Sequence, residues 1–407
     1  MDGARTRGHP LATAAVAGMI RGRAPHAVLF VGPAGIGKTT LADDLAAGVL
    51  CTVDDLQARP CGACRGCRLV ASGGHPDVHR IGPDGAGRQV VIGGPGSKVR
   101  GIRDLIGELA LLPVEGGARI AIVESAQRMN EDAQAALLKT LEEPPAGVTL
   151  ILCADAEEPL LPTIRSRCAR IRLGPVSPRV VEMILGDHGM ADPPLAARLA
   201  RIAAGRPGVA LAWAADPDAL QAREELTRTL LDVLDLGPAD RLAAVRAAAS
   251  RATRIAAVVD PPTSSLTRLA TSSGSSPKRR TAAGGGSRSA PAPDVDTEAE
   301  GEHDDDLLEI ARTPATERRR AADALIALWM DVARDVALCQ RGLAGNVREL
   351  RLLDETTVAA GRLAVPDVTA FMDRLGRAAV LVRSNVSPEL VLDDLAVHWP
   401  SPATGAT

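Results

Sequence analysis

The chain has 407 residues, with 47 Lys plus Arg against 50 Asp plus Glu and a formal net charge of −3. At roughly 100–200 residues per domain this length predicts two or three domains, and 46% hydrophobic against 24% charged residues suits a chain that buries cores. The charge balance excludes a surface that wraps nucleic acid throughout, and two Phe, three Trp and no Tyr leave few rings for a self-sufficient single-strand reader.

The cores must therefore be built from Ala, Leu, Val and Ile. No run reaches the about 18 apolar residues of a membrane span, and Met1–Ile20 has no continuous apolar stretch ending in a cleavage site. Four of the seven Cys fall within Cys51–Cys67, a pattern that fits a thiol–metal site in a reducing compartment better than a disulfide framework. The expected address is the cytoplasm.

In chain order, Ala27–Val31 is a short apolar strand ending in a Gly-rich turn, and Lys38–Leu50 follows with helical spacing. Arg119–Val123 and Val148–Ala154 are further buried-strand runs. Between them Asp132–Glu142 places Ala133, Ala136, Leu137 and Leu141 on one helix face, stopped by Pro144 and Pro145. Alternation of this kind predicts a parallel sheet wrapped by helices. Beyond Gly174 the strand signal ends. Val176–Trp213, Asp218–Val259 and Ala311–Asp394 all have helical patterns. From Pro262 to Asp306 the only large apolar residues are Leu266, Leu269 and Val295, and five basic residues (Arg268 to Arg288) precede eight acidic ones (Asp294 to Asp306). Such a segment buries too little surface to offset its chain entropy and is expected to be a disordered insertion.

Gly32-Pro33-Ala34-Gly35-Ile36-Gly37-Lys38-Thr39 matches G-x-x-x-x-G-K-[ST] between a strand and a helix, the context in which that pattern cradles phosphates. Backbone N–H groups and the helix N-terminus face the anion, Lys38 reaches the β/γ oxygens and Thr39 holds Mg²⁺. Gly32, Gly35, Gly37, Lys38, Thr39, Thr40 and Glu124 are the candidate ATP/Mg²⁺ residues. Many P-loop ATPases end the Arg119–Val123 type of strand in two carboxylates, one for the metal and one to position water. Here Glu124 is followed by Ser125, so phosphate binding is expected and efficient hydrolysis is not.

Cys51, Cys61, Cys64 and Cys67 give C-x9-C-x2-C-x2-C. Four thiolates complete a tetrahedral Zn²⁺ shell with no open position, which predicts a structural site. The compact C-x2-C-x2-C also permits iron–sulfur ligation or free thiols. His75 and His79 are near, but four Cys suffice. Cys153, Cys168 and Cys339 are packing residues.

The Walker loop, the four-Cys insertion after its helix, Ala136-Leu137-Leu138-Lys139-Thr140-Leu141-Glu142-Glu143-Pro144-Pro145 and then Ser166-Arg167-Cys168 together resemble the clamp-loader subunits of bacterial DNA polymerase III, members of the AAA+ ATPases. The resemblance is close from about Gly8 to Pro175 and looser beyond. It implies an α/β plus all-α protein: a RecA-like AAA+ domain over 1–174 with a zinc module at 51–67, a helical lid over 175–216, and a helical collar over 217–407 interrupted by the insertion 262–306. It implies a hetero-pentameric ring with motor and delta subunits, reaching the sliding clamp and primed DNA through the complex, and no membrane. His75-Pro76-Asp77, Asn385-Val386-Ser387-Pro388-Glu389-Leu390 and Gly205-Arg206-Pro207-Gly208 resemble the stator branch of that family, because motor subunits generally carry Arg where Gly208 stands.

On that reading Arg167 would be supplied in trans to ATP in a neighbouring motor, where an arginine finger is worth ~10³–10⁵ in rate. Taken alone, Arg167 reads as a surface arginine paired with a local carboxylate. The chain itself would have no polymerase site and little or no ATP hydrolysis. Two departures stand out. Some stator chains lack the phosphate loop that this one keeps, and Asp155 stands near the position of a polar sensor. The competing functions are a motor ATPase of the same complex and an AAA+ adaptor outside replication that docks through the zinc module.

Overall fold

A computed structural model describes residues 3–401 apart from 23, 84–88, 98, 116, 260–313 and 385. The expected insertion, and Asn385, lie outside the described residues.

The first part runs α1 (Pro10–Arg21), β1 (Ala27–Val31), α2 (Lys38–Val49), α3 (Arg65–Ser72), β2 (Val78–Ile81), α4 (Ile102–Leu109), β3 (Arg119–Val123), α5 (Glu131–Glu142), β4 (Val148–Ala154), α6 (Pro162–Arg167) and β5 (Ala169–Arg172). The strands form one parallel sheet in the order β2-β3-β4-β1-β5. Parallel strands covered on both faces are nearly continuous apolar runs, and β1, β3 and β4 are apolar throughout except for the buried Arg119 and Thr149. Successive residues divide between the faces. Val28, Phe30, Ile120, Ile122, Ile151 and Cys153 pack with Leu41, Leu45 and Val16 from α2 and α1. Leu29, Ala121, Val123, Leu150 and Leu152 pack with Leu105 and Leu137 from α4 and α5. The side-chain period of two along a strand produces this split.

From Pro178 on the described residues are helical: α7 (Pro178–Asp187), α8 (Pro193–Ala203), α9 (Pro207–Ala215), α10 (Pro217–Asp232), α11 (Pro238–Val259), α12 (Ala315–Gln340), α13 (Leu353–Arg362), α14 (Val365–Arg383) and α15 (Pro388–His398), with short 3₁₀ turns between some of them. Each of α7 to α10 opens with Pro in its first turn, where the missing N–H would have had no helical partner. Asp192 and Asp216 cap α8 and α10 by accepting from Leu195 N at 3.0 Å and Ala219 N at 3.0 Å.

One buried cluster runs from Val176 to Trp399. Three of the five aromatic residues meet in it: Trp329 lies 5.4 Å from Phe371 and 5.5 Å from Trp399, and Phe371 lies 4.5 Å from Trp399, centroid to centroid. These are tilted and edge-on contacts of the kind the ring quadrupoles favour. A buried ion network ties α8 to the helices beyond it. Glu349, 4% exposed, meets Arg198 at 3.2 and 3.0 Å and Arg223 at 3.4 Å, while Arg223 also reaches Asp331 at 3.1 Å. Among the described residues no helix is long and apolar enough to cross a membrane.

Candidate nucleotide and metal sites

Parallel α/β sheets bind ligands beyond the carboxyl ends of their strands, and the expected residues gather there. The register pairs Val31 with Ala154, so the residues that follow, Gly32 and Asp155, emerge side by side. Gly32 N–H donates to Ala154 O at 3.1 Å. A Cβ on Gly32 would lie 2.3 Å from Leu173 O, so only glycine lets the loop leave β1 beside β5. Gly35 and Gly37 take φ of +76° and +109°, the left-handed region that glycine enters without steric cost.

Lys38 opens α2 with its side chain 8% exposed. Its ammonium donates to Gly32 O at 2.6 Å, Pro33 O at 3.0 Å and Asp155 Oδ1 at 2.7 Å. Thr39 and Thr40 follow in the first turn, both half-buried. Glu124 leaves the end of β3 with Arg80 Nη1 3.7 Å away. Burial pushes its carboxyl above the ordinary range, Arg80 pulls it down and Asp43 adds to the rise. Ser125 holds φ +50°, and the turn after it aims Gln127 at Asp155, where Gln127 Nε2 donates to Oδ2 at 2.8 Å.

Five contributors, His9, Asp43, Arg5, Arg80 and Gln127, were not singled out from sequence. His9 places Nε2 3.0 Å from Ile36 O in the phosphate loop. Asp43 binds both Arg5, at 2.7 Å, and Arg80. Gln127 completes the set. Their chain separations follow no motif spacing, so no sequence signal points to them.

Arg167 ends α6 half-exposed, 2.8 Å from Glu142 Oε1 on α5 and 3.1 Å from Thr163 O. Within this chain it has the local carboxylate partner that its residue type alone suggests. Lys139 is exposed on α5.

The four cysteine Sγ atoms lie within 4.8 Å of one another. Cys64 to Cys51 is 3.8 Å and Cys61 to Cys67 is 4.0 Å, close to the ~3.8 Å edge of a tetrahedron drawn with Zn–S bonds of about 2.3 Å. All four are free thiols, and the cluster is able to hold a metal. At Cys64 burial favours the neutral thiol, but hydrogen bonds from Cys67 and Thr52 outweigh it and bring the group to about 6. Burial pushes Cys51 and Cys67 up.

His75 and His79 serve the frame instead. His75 Nδ1 accepts Asp77 N–H at 3.1 Å, and His79 Nδ1 lies 2.7 Å from Glu108. Asp77, fully buried, accepts from Val114 N and Glu115 N at 2.7 and 2.9 Å. Cys153 and Cys168 are buried in the sheet cores. Cys339 on α12 is half-buried, 3.9 Å from Thr357 Oγ1.

A Gly-rich loop joining the central β1 to α2, a lysine and threonine at that helix start, and a carboxylate at the end of β3 define a P-loop fold on a parallel α/β sheet, an arrangement able to cradle phosphates. Residues 12–177 match the family model for the DNA polymerase III delta subunit. The chain is 40% identical over 150 residues to DNA polymerase III subunit delta' of Pseudomonas aeruginosa, covering 37% of this chain and 43% of that protein. It is 36% identical over 216 residues to subunit delta' of Escherichia coli, 53% of this chain and 62% of that one. It is 35% identical over 191 residues to subunit tau of Salmonella typhimurium, 46% of this chain and 28% of that one. The chain thus spans less than two thirds of the relatives it matches. Residues 12–177 are similar to the DNA polymerase III delta-subunit domain, and the chain is similar to curated delta' and tau subunits.

Proposed function

We propose that this chain is a delta-prime subunit of a DNA polymerase III clamp loader, the stator of a hetero-pentamer with tau-type motors and a delta subunit, which helps ATP-dependent loading of a sliding clamp onto primed DNA. The observation that carries the reading is the 12–177 family match, which encloses the phosphate loop, the cysteine cluster and Ser166-Arg167-Cys168.

In this reading 1–174 is the AAA+ domain, 175–216 the lid and 217–407 the collar. Gly32, Gly35, Gly37, Lys38, Thr39 and Thr40 hold the phosphates and Glu124 the Mg²⁺ side of ATP. Cys51, Cys61, Cys64 and Cys67 hold one structural Zn²⁺. A multi-iron cluster, whose thiolates bind different irons, would spread the sulfurs further apart than 3.8–4.0 Å. Ser125 after Glu124 stands where a second carboxylate at the end of β3 would position water, so hydrolysis by this chain is slow. Arg167 leaves Glu142 to meet the γ-phosphate of ATP held by a neighbouring motor, where its guanidinium neutralises developing charge. The site of action is the cytoplasm.

The test is reconstitution of the full chain with the tau, delta and clamp proteins of its own source on primed DNA. Clamp loading that requires this chain supports the reading, and failure to join the complex ends it. A motor role is the second reading, favoured by the intact Lys38 and Thr39 and by the likeness to tau. ATP turnover by the isolated chain at a motor's rate would select it.

A further inference from the structure

The phosphate loop's lysine is fully spoken for within the chain. An ammonium has three N–H bonds to donate, and Lys38 gives them to Gly32 O, Pro33 O and Asp155 Oδ1 at 2.6, 3.0 and 2.7 Å. Two of these acceptors belong to the phosphate loop itself. The third is a carboxylate fixed from behind: Asp155 Oδ2 accepts from Gln127 Nε2 at 2.8 Å, and Asp155 N–H donates to Gln127 Oε1 at 3.1 Å. The side chain of Lys38 is 8% exposed and that of Asp155 36%, so the carboxylate stands on the solvent side of the buried ammonium.

We propose that Asp155, pinned by Gln127, competes internally with nucleotide phosphates for Lys38 and thereby sets the nucleotide affinity of this chain low. The inference rests on the phosphate-loop reading above and deepens it. An incoming phosphate gains Lys38 only by displacing a carboxylate that already makes a charge-assisted hydrogen bond. Once displaced, that carboxylate sits beside the phosphates as a like charge. Asp155 is then a positioning residue acting through Lys38, with the opposite effect on affinity from a polar sensor that touches the γ-phosphate.

Titration calorimetry of Mg·ATP and Mg·ADP into the full chain tests this with the wild type, Asp155→Asn, Gln127→Ala and Lys38→Ala. Asp155→Asn should bind both nucleotides about tenfold more tightly, the factor that corresponds to the loss of one charge-assisted competitor bond. Gln127→Ala, which frees the carboxylate without removing it, should tighten both by a smaller factor and serves if Asp155→Asn does not fold. Lys38→Ala should lose binding. A wild type that binds while Asp155→Asn binds no more tightly overturns the inference and leaves the phosphate-loop reading standing. Selective loss of ATP over ADP in Asp155→Asn overturns it in favour of a γ-phosphate contact. No binding by the wild type or any variant sinks the phosphate-loop reading and the inference together.

Discussion

Gly208 donates its backbone N–H to the carbonyl oxygen of Gly35 at 2.8 Å, joining the start of α9 to the phosphate loop. The approach leaves no room for side chains. A Cβ on Gly208 would stand 3.1 Å from both Cα and O of Gly35, and one on Gly35 would stand 2.8 Å from Val209 Cγ2. Gly208→Val should therefore push α9 off the loop. The expected loss is about 1–3 kcal/mol, as for other overpacked sites, measured as a lower urea midpoint with an unchanged slope.

Arg167→Ala should separate two roles. In the isolated chain the Arg167–Glu142 pair is 36% and 50% exposed, and such pairs contribute about 0–1 kcal/mol, so the melting temperature should barely move. In the reconstituted complex ATP turnover should fall about tenfold or more, since a finger in trans acts on the transition state. Unchanged turnover in an assembled complex would remove Arg167 from the mechanism.

Glu349→Ala should be among the costliest single changes in the helical part. It leaves Arg223, 4% exposed, short of one carboxylate and removes both of Arg198's contacts to Glu349. Stripping one partner from a buried pair typically costs about 3–5 kcal/mol. Asp218→Ala, which breaks the exposed 2.9 Å pair with Arg254, is the matched control and should cost less than about 1 kcal/mol. Urea unfolding of the two variants side by side reads the difference.

The four-thiol cluster predicts about one Zn²⁺ per purified chain by elemental analysis, the stoichiometry of a closed tetrahedral site. Chelation should lower the melting temperature, because metal binding free energy is folding free energy where the ligands are otherwise unpaired. Cys64→Ser should reduce both the metal content and the sensitivity to chelator. A wild type without metal, and with melting indifferent to chelator, would count against the site.

Strands β1, β3 and β4 were legible in the sequence because helices cover both faces of the sheet, which forces uninterrupted apolar runs such as Ala27–Val31. Strands β2 and β5 were not. Val78-His79-Arg80-Ile81 has one buried residue and Ala169-Arg170-Ile171-Arg172 has none. Both lie at the sheet edges, and only pairing with β3 and β1 makes them strands. Edge positions are half-wet, so their sequences carry no burial pattern.

The phosphate loop and the four cysteines were legible for a different reason: their chemistry needs fixed spacing along the chain, and spacing is what a sequence records. What Lys38 touches was decided only by the tertiary structure. Asp155 lies 117 residues along the chain from Lys38, and Gln127 lies 28 residues before Asp155; they meet because β4 lies beside β1 and β3 beside β4. Contacts between strand ends depend on sheet order, which is set by the packing of whole layers and not by any local pattern. The sequence by itself therefore determined that the chain carries a phosphate-loop motif and a set of four closely spaced thiols, while the sheet order decided that the loop's lysine is held by the chain's own carboxylate.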